Sequence, residues 1–359
     1  MFNRSQYLLW YIITVAVEHT MNRDNYSLVS RRNALRTVGA AGIASIAGCS
    51  SGGGGSENWV MGTSEQGSST FSIGQALQSV IREHSDQVNL SAQSSGGQVA
   101  NARSLGNEYD LAIISNNLHY DALQETGPFA EQPPSNPLWT GFSVTGAECF
   151  MLTTADSDIE TYDDLTGRTI TTFGTGSALY QLTMTVFEEL GIQGDYEHRE
   201  IPLNEFGSAL ENGRIEACGG YTTLRGTSAS GGMQELMNRV DLKAVKMTDE
   251  QREQVSGLTS PPIETIQPEP FGNVDEVTAW TDTANIIYGN HLSEDLVEHV
   301  TETWIENWDQ VKETYSGVLD ATDEALVSGF LPNFTIHPGA AAYLESRGIS
   351  LDEWSIGSQ

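Results

Sequence analysis

From Asn58 onward the chain alternates short apolar runs with amphipathic helical stretches, and no other feature limits its fold as much. Residues 59–61 read as a first strand, followed by a Gly/Ser/Thr loop over 62–70. A helix over 71–84 then places Ile73, Leu77, Val80 and Ile81 on one face. Residues 88–92 form a second strand, a Ser-Ser-Gly-Gly turn at 94–97 opens a helix through Leu105, and 110–114 form a third strand ending at Ser115-Asn116-Asn117.

The same device recurs further along. A strand at 149–153 precedes a helical turn at 161–165, a strand at 169–172 and a loop at 173–177. The helix after that loop carries Leu179, Leu182, Val186, Phe187 and Leu190 and stops at Gly191. Residues 206–211 read as helical and 215–218 as a strand ending in the loop 219–223. A proline-rich stretch, 261–270, reads as loop or rigid connector, and 278–288 as extended. One long helix is expected after the N-cap Ser293, through Leu296, Val300, Trp304, Trp308 and Val311, and a last one over 340–346. The pattern predicts an α/β chain long enough for two domains.

Charge narrows the partners. The 359 residues include 48 acidic against 17 basic side chains, a net charge of -31. Phosphate binding needs Lys and Arg to displace counterions, so nucleic acid is excluded as a direct partner. An anionic membrane surface is disfavoured for the same reason. Disorder is also disfavoured, because 38% of the residues are apolar and seven are Trp. The acids are scattered rather than blocked, and only Lys243, Lys246 and Lys312 are lysines. That pattern fits a halophile's surface, where salt screens self-repulsion, with an ordinary acidic secreted protein as the alternative.

The N-terminus reads as an address. Arg31 and Arg32 precede an apolar, small-residue run from Val38 to Gly48, too short to span a membrane and ending at Cys49. Ile46-Ala47-Gly48-Cys49 is similar to a lipobox, which makes 1–48 a signal region and Cys49 the lipidation site, followed by a Ser/Gly tether over 49–57. A second apolar run, 7–17, lies upstream of the arginines, so the expected start is Met21. The expected location is extracytoplasmic, with the membrane reached through the lipid alone.

Strand ends rich in Gly, Ser, Thr, Asn and Tyr suit binding rather than catalysis, since ligands of open α/β sheets sit where such loops meet helix N-termini. Enzyme motifs fail. The loop 62–69 has Walker-A glycine spacing with Ser68 in place of the lysine, and there is no G-x-S-x-G or H-E-x-x-H. The seven histidines (19, 84, 119, 198, 291, 299 and 337) have no pair at i,i+4 spacing, so no metal and no cofactor is expected. Asp156 with Asp158, and Asp163 with Asp164, read as turn and cap residues. Cys149 and Cys218 lie in apolar runs and read as buried free thiols, a disulfide between them being the alternative.

Several segments together resemble the TAXI group of solute receptors for TRAP transporters, over about residues 60–349. They are Gly67-Ser68-Ser69-Thr70-Phe71-Ser72-Ile73-Gly74, Ser94 to Val99 with Asn101, Asp110-Leu111-Ala112 leading to Tyr120-Asp121-Ala122, Leu165 to Arg168, Gly174-Thr175-Gly176-Ser177, and His337-Pro338-Gly339-Ala340. The family's double aromatic is Thr70-Phe71 here, and a Q-x-D found after the third strand in many members is Ser115-Asn116-Asn117.

The resemblance implies a two-lobed, type II periplasmic-binding fold with a hinge and an interlobe cleft: 58–147 with 283–359 as one lobe and 148–282 as the other. It implies a monomeric, non-enzymatic receptor that captures a small organic acid, a glutamate-like amino acid or dicarboxylate, and delivers it to TRAP membrane subunits. An ABC-transporter receptor of the same fold is the alternative, and an enzyme on this scaffold a remote one. The implied ligand residues are Ser68, Ser69, Thr70, Phe71, Gly97, Gln98 and Asn117 from the first lobe, and Gly174, Thr175, Gly176, Ser177, Tyr221 and Thr222 from the second. Amides near Gly176 and Ser177 would hold a carboxylate, Phe71 and Tyr221 would pack the carbon skeleton, and Arg225 would add a charge or answer the acidic surface.

Overall fold

The computed structural model describes residues 56–258 and 261–358. The expected export arginines Arg31 and Arg32, the lipidation site Cys49 and most of the tether lie outside them. The chain opens with β1 (Glu57–Gly62), α1 (Ser69–His84), β2 (Val88–Gln93), α2 (Gln98–Ser104), β3 (Leu111–Ser115) and α3 (Asn116–Gln124), then β4 (Leu138–Thr154). β5 (Thr169–Thr171), α4 (Ala178–Glu189), β6 (Glu197–His198), α5 (Phe206–Glu211), β7 (Ala217–Thr222) and α6 (Gly231–Arg239) follow. Next come β8 (Leu242–Ala244), α7 (Asp249–Ser256), β9 (Ile263–Ile266) and β10 (Val277–Gly289). The last elements are α8 (Glu294–Glu306), α9 (Trp308–Thr314), α10 (Asp323–Leu326), β11 (Thr335–Ile336), α11 (Pro338–Ser346) and β12 (Ser355–Ile356).

The strands join in the order β2-β1-β3-β10-β4-β7-β5-β6, with β9 added to β10, β8 and β11 to β4, and β12 to β11. β1 pairs in parallel with β2 and β3, and β5 in parallel with β6 and β7. These are the strand-loop-helix units that the alternation predicts. Between them run the antiparallel strands β4 and β10, paired along most of their length.

Apolar side chains segregate into two large cores and a smaller one. One core gathers buried residues from Cys149 to Trp280, and the second those from Trp59 to Val144 and from Ala284 to Leu351. β4 and β10 each pass from one core to the other, between Val144 and Cys149 and between Trp280 and Ala284. The mixed α/β fold is therefore two-lobed, with two strands shared.

Several elements depart from the sequence pattern. The strand expected at 149–153 is the end of the 17-residue β4, whose first half runs through Gly141 and Gly146. A Cβ at Gly141 would meet Tyr288 Cε2 at 2.5 Å, so that glycine is required by the close approach of the ring across the β4–β10 ladder. The long helix expected through Val311 breaks at Asn307 (φ -112°, ψ 29°) into α8 and α9, which brings the Trp308 indole N–H to Leu319 O at 2.7 Å. The proline-rich connector contains β9, paired antiparallel to β10. Four helices lie outside the periodicity reading: α3, capped by Ser115, α6, capped by Ser230, α7, opened by a capping box between Thr248 and Gln251, and the one-turn α10, capped by Thr322. Cys149 and Cys218 are buried free thiols, facing Tyr221 and Leu152 across the β4–β7 ladder.

Trp304 anchors the core of the terminal segments. It is fully buried, its ring lies 6.1 Å from Phe142 and 6.5 Å from Tyr288, and its N–H donates to Leu77 O at 3.0 Å. Trp304→Ala is expected to cost about 3–5 kcal/mol, read as a lower denaturant midpoint in molar salt.

Candidate functional site

The two segments that opened as strand-loop-helix units face each other across a cleft, and the facing loops are in contact. Gly232 N donates to Gly67 O at 3.0 Å, Val99 N to Gly176 O at 3.0 Å, and Leu203 N to Glu65 Oε2 at 3.1 Å. The Tyr221 hydroxyl accepts from Ser69 N at 3.2 Å and lies 3.3 Å from Ser69 Oγ, to which the Tyr315 hydroxyl donates at 2.7 Å. Each of the bonds joining 65–99 to 176–232 runs from one core's segment to the other's. The cleft is closed.

Two glycines make that approach possible. Gly97 has φ +99°, and a Cβ there would meet Gly176 O at 2.6 Å; a Cβ on Gly176 would meet Gly96 O at 2.3 Å.

Inside the contacts lies a cavity of about 70 Å³, lined by residues of both segments. Ser64, Glu65, Ser68, Ser69, Thr70 and Gln98 form one wall. Phe173, Ser177, Leu179, Leu203, Tyr221 and Thr223 form the other, and Thr145 to Ala147 with Asp282 and Ala284 come from the shared strands. A second cavity of about 240 Å³ shares Ser64, Glu65 and Ser177 with the first and adds 95–97, Gly174, Gly176 and 200–202.

The expected ligand residues divide between these places. Ser68, Ser69, Thr70, Gln98, Ser177 and Tyr221 line the first cavity, and Gly97, Gly174, Gly176 and again Ser177 the second. Four do not line either. Phe71 is turned away on α1; Thr175 is exposed and bonds Glu200 through its N and Oγ1; Thr222 lies within β7 and donates to Glu148; and Asn117 donates to Asp282 Oδ1 at 3.0 Å from beside another cavity. The loop expected after the strand at 218 is still strand through Thr222, so alternation places Tyr221 and Thr223 on the cavity side and Thr222 on the opposite face.

The amides expected to hold a carboxylate are engaged elsewhere. Ser177 N donates to Gly174 O at 2.9 Å, and Ser177 Oγ caps α4 by accepting from Tyr180 N. Ser68 Oγ caps α1 in the same way, accepting from Phe71 N. Arg225 does not reach the cleft. Its guanidinium pairs with Glu264 at 3.0 Å and stays 80% exposed.

Sequence reading missed the acids of the cleft. Glu65 was hidden in a Ser/Thr/Gly loop, and Asp282 within a strand whose hydrophilic positions carried no recognisable pattern. Burial raises the pKa of Glu65, opposed by the bond from Leu203 N and reinforced by the charge of Glu200. Asp282 is buried, and desolvation pushes its pKa up to about 7 against the hydrogen bonds of Ser115, Thr283 and Asn117. Beside the cavity, Leu224 and Arg225 both have positive φ, 56° and 55°. This turn is held by the Glu148 carboxylate, which accepts from Thr222 Oγ1, Arg225 N and Gly226 N at 2.9, 2.8 and 3.2 Å. Two consecutive left-handed residues other than glycine are strained, and the strain sits next to the cavity residue Thr223.

The chain is similar to the aliphatic sulphonate binding protein SsuA of Escherichia coli, at 12% identity over 80% of this chain and 83% of that one, with a TM-score of 0.41. It is similar to a putative L-cystine ABC transporter protein of Listeria monocytogenes, at 11% identity over 76% and 100%, TM-score 0.44. A probable amino-acid ABC transporter extracellular-binding protein of Bacillus subtilis matches at 12% identity over 74% and 98%, TM-score 0.44. These likenesses concern the fold alone. No curated protein matches in sequence. The model of the NMT1-like family matches residues 61–348, and the chain belongs to that family, a periplasmic solute-binding family.

The raised pKa of Asp282 gives a sign to test. A carboxyl that is neutral more readily when folded than when unfolded contributes stability below its unfolded value near 3.8, and that contribution is lost as pH rises through about 7. Asp282→Asn keeps the neutral shape, so its melting temperature relative to the parent is expected to rise across that window. A constant difference between the two proteins would contradict the assignment.

Proposed function

We propose that the chain is an extracytoplasmic solute receptor that captures a small polar solute between its lobes and delivers it to a membrane permease. The observation that carries this is the cavity lined by both segments, in a member of a periplasmic solute-binding family. The lobes are 58–147 with 283–359, and 148–282, with hinges where β4 and β10 change core. The lining offers hydroxyls, a tyrosine and apolar walls without a nucleophile–base pair, which supports binding rather than catalysis. Twin-arginine export and lipidation at Cys49 belong to the same reading and rest on the order of residues in the N-terminal segment.

Two permease classes compete for the recipient. The motif resemblance favours a TRAP system. The alternative is an ABC system, the kind of transporter for which the Listeria monocytogenes and Bacillus subtilis proteins are named. Among the described residues no helix is long and apolar enough to cross a membrane.

Binding of a solute to the folded form alone stabilises by mass action, about 2.7 kcal/mol at 100 times the dissociation constant. A thermal-shift screen of anionic, neutral and cationic solutes in molar salt is expected to raise the melting temperature with at least one of them. No shift in any charge class would contradict the receptor reading.

A further inference from the structure

We infer that the solute held in this cleft presents a protonated amine to Glu65 and Asp282 and carries no net negative charge; this rests on the receptor reading. The charge inventory of the cleft carries it. Among the lining residues of the two cavities Glu65, Glu200 and Asp282 are carboxylates, and none is Lys, Arg or His. A dicarboxylate would enter a desolvated space already holding carboxylates, with no counter-charge, and unpaired like charges are costly there.

Hydrogen-bonding capacity points the same way. Three donors of the cleft are already engaged: Ser69 N with the Tyr221 hydroxyl, Ser177 N with Gly174 O, and the Tyr315 hydroxyl with Ser69 Oγ. Acceptors remain. Glu65 uses Oε2 for Leu203 N, which leaves Oε1 to face an ammonium. Thr223 Oγ1 lies fully buried on the same cavity wall beside the Tyr315 hydroxyl. Apolar walls from Phe173, Leu179, Leu203 and Ala284 suit a short carbon skeleton. A neutral α-amino acid or a small alkylamine has this chemistry.

The same charges predict the pH response. The titratable groups around Asp282 are Glu65 in the cavity and, on β4, Glu148 and Cys149, whose thiol burial holds far above neutral. An ammonium binds the ionised carboxylates, so its affinity rises with pH until Asp282 is fully ionised. An anionic solute would show the opposite slope.

The test is calorimetric titration with propylamine, L-valine, glycerol, succinate and L-glutamate in molar salt at about pH 5 and pH 8. Propylamine or L-valine is expected to bind, more tightly at the higher pH. Glu65→Gln and Asp282→Asn are each expected to weaken that binding about tenfold, the size of one lost charge-assisted contact. Glu65→Gln can still accept from Leu203 N, so it serves where Asp282→Asn alters the fold. Tighter binding of succinate, L-glutamate or glycerol, or an affinity unchanged in both variants, overturns the inference and leaves the receptor reading intact. Silence across the whole set overturns both.

Discussion

Everything in this molecule is placed by the antiparallel pairing of β4 with β10. Among the described residues the two strands are the only elements whose side chains enter both large cores, and the parallel units hang from their opposite ends. A receptor of this kind needs rigid lobes and a compliant join. The register shifts of the ladder between Ala284 and Ile287 fall close to where the strands leave one core for the other. Asp282 lies in that passage, buried and bonded to Asn117 at the start of α3, so the residue with the most perturbed carboxyl of the cleft also ties a lobe to its hinge.

Closure is then a matter of backbone. The lobes meet through Gly67 with Gly232 and through Val99 with Gly176, contacts that no side chain decides and that tolerate no Cβ at Gly97 or Gly176. Side chains add the Ser69–Tyr221–Tyr315 hydroxyl chain and the reach of Glu65 to Leu203 N. A ligand favours this arrangement only through its differential affinity for it, so residues that line the cavity and also bridge the lobes, Ser69, Glu65 and Tyr221, couple binding to closure.

Much of this was legible in the chain. Period-3.6 helices such as α1 and α4 and the apolar strands β2 and β3 stand within two residues of their expected bounds, because α1, α4 and β2 each bury one clear face and β3 is buried throughout. Glycine-rich loops marked the cleft, since close backbone approach demands glycine wherever it occurs. What stayed hidden depends on partners remote in sequence. β4 runs on through Gly141, which only Tyr288 explains, β9 is a strand only because β10 borders it, and Thr222 differs from Tyr221 by the face of one strand. Glu65 and Asp282 looked like two more acids in a chain with 48 acidic residues. Only burial distinguishes them from the solvated ones.

The central claim is that the two lobes close on a solute about the β4–β10 join. Spin labels on cysteines introduced at the exposed positions Asp86 and Glu211, one on each lobe, in a protein with Cys49 replaced by Ser, report the interlobe distance directly, Cys149 and Cys218 being buried. A saturating solute identified by thermal shift is expected to convert a broad or bimodal distance distribution into one narrow, shorter population. A distribution that the solute leaves unchanged would contradict closure as the mode of capture.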